Sequence, residues 1–484
     1  MEIKYQKQTS WEIVYSRYEG LQARAVQLLC TEMGYRVCRK IGVYELHVLP
    51  CRIESETEPS KCAVIIGLYG ESSLLRRYID KSEIPQNGYC TKIINNPSDE
   101  AYQYVLICAE SDDALLHGAI DFIDCDCIRL NGSPMQNSDE VFDYTFPLMT
   151  RSAAPKTERR MVFTWGHPIN DYRSYLRNMA RIKINEVILW NDFCPINAKE
   201  IIDYAHSWGI KIIWGFAWGW IAGCEKLTAI DDAFLAKVKD DVIARFEREY
   251  APLNPDGIYF QSFTERNDDN IGGRSIAAAV TDFVNATADA LLERHPGLKI
   301  EFGLHSTSVT RHMEQIAHTD TRVDIIWEDG PAFPLAYQPH TVDAASSKIT
   351  TELVKKMISL RPQGNVGILY KGYCTLDWNR FVYQSGPYLL GEGGARLTAH
   401  DTALRLQRWK HFEGEWMQYG HYAQQMTDMI QTEYGSNVAL GMAGVFDDGI
   451  WFPEAVTARM FWDASESYED NMRITSAQTN VRKA

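Results

Sequence analysis

From Met161 onward the chain alternates short apolar runs with amphipathic stretches, and this alternation restricts the fold more than any other feature. The runs fall at residues 161–164, 186–190, 210–214, 257–260, 298–302, 323–327, 366–370 and 440–446. Each is too short for a helix, and most are apolar on successive positions, the pattern of a strand buried on both faces. Segments 172–183 and 198–208 between the early runs carry helical periodicity and close near a Gly or Asn. Eight strands alternating with helices over roughly 300 residues predict a (β/α)8 TIM barrel. A doubly wound open sheet is the alternative, but no Gly-rich phosphate loop follows any run.

The 484 residues leave room for a further domain ahead of the barrel. Residues 1–150 read as a small α/β domain. A helix is expected over 23–33, ending at Gly34, with strands near 44–49, 63–69 and 104–108. Ser111 should cap a further helix whose first turn carries Asp112 and Asp113. His117 lies inside that helix and reads as a packing residue. The polar stretch 151–160 reads as the linker, so the expected domains are 1–150 and 151–484.

A formal net charge of −15 argues against nucleic acid as a partner. No stretch is long and apolar enough for a membrane span, and the N-terminus shows no signal-peptide pattern, so a cytoplasmic location is expected. Eleven cysteines at irregular spacing fit reduced, mostly buried thiols. Cys125 and Cys127 lack a second paired motif, and no HxH or HExxH spacing occurs, so neither metal nor cofactor is expected.

In a barrel the C-terminal ends of all strands open on one face, bringing residues distant in sequence together. Here those ends carry Trp165 and His167; Trp190, Asn191 and Asp192; Trp214 and Trp218; Glu265; His305; Glu328 and Asp329; Lys371; and Asp447. Aromatic rings beside carboxylates suit a sugar, whose ring faces stack while its hydroxyls take polar partners. Glycosidic cleavage needs a protonated acid for the leaving oxygen and a second carboxylate as base or nucleophile. Glu265, after the fourth strand, is the candidate acid. Glu328 or Asp329, after the sixth, are the candidate second groups. The staves are not adjacent, which favours the wider spacing of inverting enzymes. Plainer readings stay open: an ion pair for Glu265, solvent-facing loop acids for Glu328 and Asp329, and packing for the WGFAWGW tryptophans. A carbohydrate substrate is the expected partner, and a homodimer is left open. A non-hydrolytic carbohydrate-binding barrel is the alternative of another class.

RMVFTWGHPIND at 160–171, then YLRNMARIKINEVILWND and IIDYAHSWGIKIIW, resemble the first barrel units of glycoside hydrolase family 67 α-glucuronidases. The stretch around Glu265 and Asp329-Gly330-Pro331 continue the resemblance in order. ESDDALLHGAIDFID is similar to the helix closing the small domain in that family and in family 20 β-hexosaminidases. The resemblance implies an exo-acting glycosidase with Glu265 as general acid. Phe333 and Tyr370 stand where family 67 has its base carboxylates, and Thr264 stands where family 20 has an Asp. A β-N-acetylhexosaminidase-like enzyme is the runner-up.

Overall fold

The computed structural model describes residues 11–34, 48–127, 145–164, 169–190, 193–218, 229–261, 268–330, 343–370, 387–443, 449–478 and 480–483. The chain divides into two compact units. One comprises Met1–Pro155 with Ser207–Gly209 and Ser476–Asn480; the other holds the remainder.

In the first unit a six-stranded mixed sheet runs in the order Cys51–Ile53, Trp11–Tyr15, Cys62–Leu68, Asp99–Ala109, Tyr89–Asn96, Met149–Ala153. Tyr89–Asn96 is antiparallel to both of its neighbours, and the other pairings are parallel. Ser111 caps helix Asp112–Asp121 by accepting from the Ala114 amide, as its residue type predicts. The helix expected over 23–33 begins earlier, at Gly20, and continues through a π-helical turn to Met33.

The stretch read as a linker begins and ends in strands. Met149–Ala153 is an edge strand, and Arg151 pairs with the buried Asp126 at 2.7 Å. An edge strand with one open face needs few apolar residues, so its sequence looks like a loop. Arg160 already belongs to the barrel. Its buried guanidinium donates to the carbonyls of Thr157, Glu158 and Lys183 and lies over the Trp462 ring.

The second unit is a closed eight-stranded barrel with every neighbouring pair parallel. Its strands, in chain order, are Arg160–Phe163, Glu186–Trp190, Lys211–Gly215, Gly257–Phe260, Lys299–Leu304, Val323–Gly330, Val366–Tyr370 and Ala439–Ala443. All eight expected strands are present. The eighth is described over Ala439–Ala443; the rest of its expected span, to Phe446, lies outside the described residues. Four helices between the strands start at side-chain caps: Asp171, Asp231, Ser275 and Asp343 each accept from amides of the first turn. No described helix is long and apolar enough to cross a membrane.

Candidate active site

Side chains alternate across each barrel strand, and those that point inward form three layers. The floor, at the N-terminal ends, is ionic. Arg159 reaches Glu186 at 2.9 Å, Glu301 at 2.5 Å and Asp324 at 2.6 Å. Lys299 reaches Glu186 at 2.6 Å and Glu301 at 2.9 Å. Burial alone would raise the Glu186 carboxyl, but Arg159 and Lys299 pull it down to about 2. Above this floor lies a dry layer of Met161, Ile188, Ile213, Ile326 and Leu369, which seals the barrel centre.

The upper layer is where polarity returns. Glu328 is fully buried although it stands near the C-terminal end of its strand. One of its oxygens accepts from the Tyr259 hydroxyl and, at 2.5 Å, from the Gln261 amide. Its other oxygen is 3.6 Å from His305 Nδ1. Burial, then the Glu328 charge and the hydrogen bond to it, hold the Tyr259 phenol well above its usual range. Tyr259 therefore stays protonated and remains a donor. Backbone pairing fixes the two donors on the fourth strand: Phe216 N bonds Tyr259 O and Trp218 N bonds Gln261 O.

Gly303 makes this cluster sterically feasible. A Cβ there would sit 2.5 Å from Glu328 Oε1 and closer still to the Tyr259 hydroxyl. Gly303→Ala is therefore expected to cost about 1–3 kcal/mol by overpacking. It should also displace the carboxylate, lowering any activity more than the stability loss accounts for. Thermal unfolding and turnover of the same preparation check this, and unchanged values for both would mean that the cluster is loosely held.

The tryptophans separate into two groups. Trp214 and Trp218 are buried, Trp218 stacked on Phe260 at 3.8 Å and edge-on to Phe283, Trp214 tilted against Tyr250. They fill the space between barrel and helices. Of the two readings open for them, the described positions favour packing. Trp190 instead joins the inner face, edge-on to Phe163 and Tyr259, and stays partly exposed. Gly215 clears its ring, since a Cβ there would lie 2.6 Å from Trp190 Cε3. Tyr370 points into the helical layer, its hydroxyl 2.6 Å from Thr427 Oγ1 and its ring edge-on to Phe461.

The described residues thus bring together Glu328, His305, Tyr259, Gln261 and Trp190. Trp165, His167, Asn191, Asp192, Glu265, Lys371 and Asp447 lie outside the described residues. Asp329 lies within the sixth strand, and its side chain is likewise outside the description. Tyr259 and Gln261 were missed in the sequence. The signal for them was a phenol inside an otherwise aliphatic and aromatic run, followed two positions on by an amide at the strand's end.

No protein-family model matches the sequence, and no curated protein matches it. Solved structures do match in fold. The Streptomyces plicatus N-acetyl-β-hexosaminidase in complex with thio-NAglucal is 12% identical, covers 98% of this chain and 91% of its own, with a TM-score of 0.52. The GH20 β-N-acetylhexosaminidase from Streptomyces coelicolor A3(2) is 10% identical, covering 96% and 91%, with a TM-score of 0.51. CpGH84D is 11% identical, covering 97% and 69%, with a TM-score of 0.50. At such identity the likeness establishes a common fold: the chain has the closed-barrel architecture of these glycoside hydrolase structures.

Proposed function

We propose that the protein is a glycoside hydrolase that removes terminal sugars from small glycosides, with its site at the C-terminal mouth of the barrel. The observation that carries this reading is the buried Glu328, held by Tyr259 and Gln261 beside His305 and near the partly exposed Trp190 ring. A carboxylate buried with its donors already in place is an arrangement that glycosidic chemistry uses. The fold shared with the hexosaminidase structures supports the same class of reaction. Glu265 protonates the departing glycosidic oxygen, as the family 67 resemblance implies, while a water molecule attacks the opposite face of the sugar.

Two substrate classes follow from different observations. The order of the family 67-like motifs favours a uronide, with Lys371 as a partner for the sugar carboxylate. The fold shared with β-N-acetylhexosaminidases favours an N-acetylhexosaminide as the second reading. A panel of aryl glycosides containing both classes separates them. In Glu265→Gln, kcat should fall about 10²–10⁴-fold on substrates with poor leaving groups, while calorimetry should still detect sugar binding. Equal turnover by Glu265→Gln and wild type removes the acid assignment. Sugar binding by a wild type that cleaves nothing on the panel favours the non-hydrolytic alternative.

A further inference from the structure

We infer that oxidation joins Cys30 to Cys51 in a reversible disulfide, a staple between the end of a helix and the edge of the sheet in the first unit. Cys30 lies in the π-helical turn Leu29–Met33 that ends the helix begun at Gly20. Cys51 opens Cys51–Ile53, an edge strand of the six-stranded sheet, level with Ile13 of the neighbouring strand. Two backbone bonds set the approach: Leu49 N donates to Cys30 O at 3.0 Å, and Ile13 N donates to Pro50 O at 2.8 Å. The chain is thus held against the π-helical turn two residues before Cys51 and against the sheet one residue before it. Both cysteines are free thiols, and they meet in a side-chain hydrogen bond.

The two thiols divide the work by exposure. Cys51 is exposed, whereas Cys30 is 6% exposed. Cys90 and Cys108 also face each other, across an antiparallel pair, but both are fully buried and a dissolved oxidant does not reach them. Burial, and after it Cys51, push the Cys30 thiol up to about 12, so Cys30 does not start the exchange. In the proposed sequence Cys51 gives up its proton, and its sulfur attacks one sulfur of a small-molecule disulfide of the glutathione class. That S–S bond breaks, and the departing sulfur takes the electron pair and a proton and leaves as a thiol. Cys30 then attacks the Cys51 sulfur and expels the second thiol in the same way. One dissolved disulfide is reduced to two thiols as two cysteines are oxidised to one disulfide. A surplus of small thiols reverses both steps. The bond closes residues 31–50 into a loop, which removes freedom from the unfolded chain and so stabilises the folded one.

The test uses the full-length protein in mixtures of reduced and oxidised glutathione, alkylated with iodoacetamide and digested with trypsin without reduction. Cys30 and Cys51 fall in different tryptic peptides, 25–36 and 41–52, so the bond appears as a linked pair that dithiothreitol separates. The wild type should form the linked pair, and its melting temperature should rise by roughly 5 °C as it does so. Cys30→Ala should stop at the mixed disulfide between Cys51 and glutathione, with no such rise. Cys51→Ser should leave Cys30 unmodified, because the exposed thiol that starts the exchange is gone. A wild type that never gives the linked pair at any glutathione ratio, whether Cys51 stays free or stays a mixed disulfide, overturns the inference. So does a bond from Cys51 to any other cysteine. A linked pair that leaves the melting temperature unchanged overturns the stapling role.

Discussion

Replacing Arg159 by methionine is expected to destabilise the barrel by about 3–5 kcal/mol near neutral pH, lowering its melting temperature by roughly 5–10 °C. The reason lies in the ionic floor. Arg159 and Lys299 face Glu186, Glu301 and Asp324, so three carboxylates share two cations. Glu186 and Glu301 are almost completely buried, and their negative charge is tolerable only because the guanidinium divides its donors among three acids. Burial alone would lower the Arg159 affinity for its proton, but Glu186, Glu301 and Asp324 together raise it. Methionine has a similar volume and removes the charge without leaving a large void. The cost is therefore mainly that of buried carboxylates without a counter-charge. It should shrink in acid, where those carboxylates can protonate. Thermal or urea unfolding at pH 5 and pH 8 checks this. A loss below about 1 kcal/mol at pH 8 would show that the floor is solvated and the ion pairs are weak.

The barrel was legible in the sequence because its signal is repeated eight times. A run such as Val366–Tyr370 is apolar on both faces only when sheet and helices cover it, and its bounds match the expectation. That same double burial hides which residues point inward. Trp214 and Trp218 looked equivalent to Trp190 in the sequence, yet neighbours in space place only Trp190 on the inner face. Without polar–apolar alternation a strand gives no phase, and phase decides whether a ring lines a mouth or fills a core. The floor was invisible for a related reason. Arg159, Glu186 and Lys299 sit at the starts of strands, where charged residues usually mark the turn into solvent, and only closure of the barrel brings them together. Glu328 illustrates the opposite case. It stood among the candidate groups with a solvent-facing loop as an equal reading; the sixth strand extends to Gly330 and Glu328 is buried.

Glu301→Gln is expected to stabilise the protein at pH 8 and to do so much less at pH 5. Glu301 is the surplus acid of the floor: it is fully buried, and its Oε2 has no hydrogen-bond partner among the described residues. Burial pushes its carboxyl up from 4.5 to about 7; Lys299 opposes this, and the neighbouring Glu186 charge adds to it. A folded-state value above the unfolded one means that the folded protein holds the proton more tightly. Between about pH 4.5 and pH 7 the unfolded chain loses that proton while the folded chain keeps it. Stability therefore declines as pH rises through this window and levels off above it. Glu186 has the opposite sign: its value lies below the unfolded one, so its contribution is lost only as pH falls below about 4.5. For Glu301 the span from 4.5 to about 7 corresponds to roughly 3 kcal/mol of penalty at high pH. Glutamine mimics the protonated acid in shape and charge, so the variant should escape that penalty. Taking the difference between variant and wild type cancels the titration of every other group. Urea unfolding at half-unit steps from pH 5 to pH 8 should give a difference that is small at pH 5, grows steadily to about pH 7 and then levels off. A variant less stable than wild type at pH 8 would mean that the folded barrel holds the Glu301 proton less tightly than the unfolded chain does, with Arg159 and Lys299 able to satisfy all three carboxylates at once.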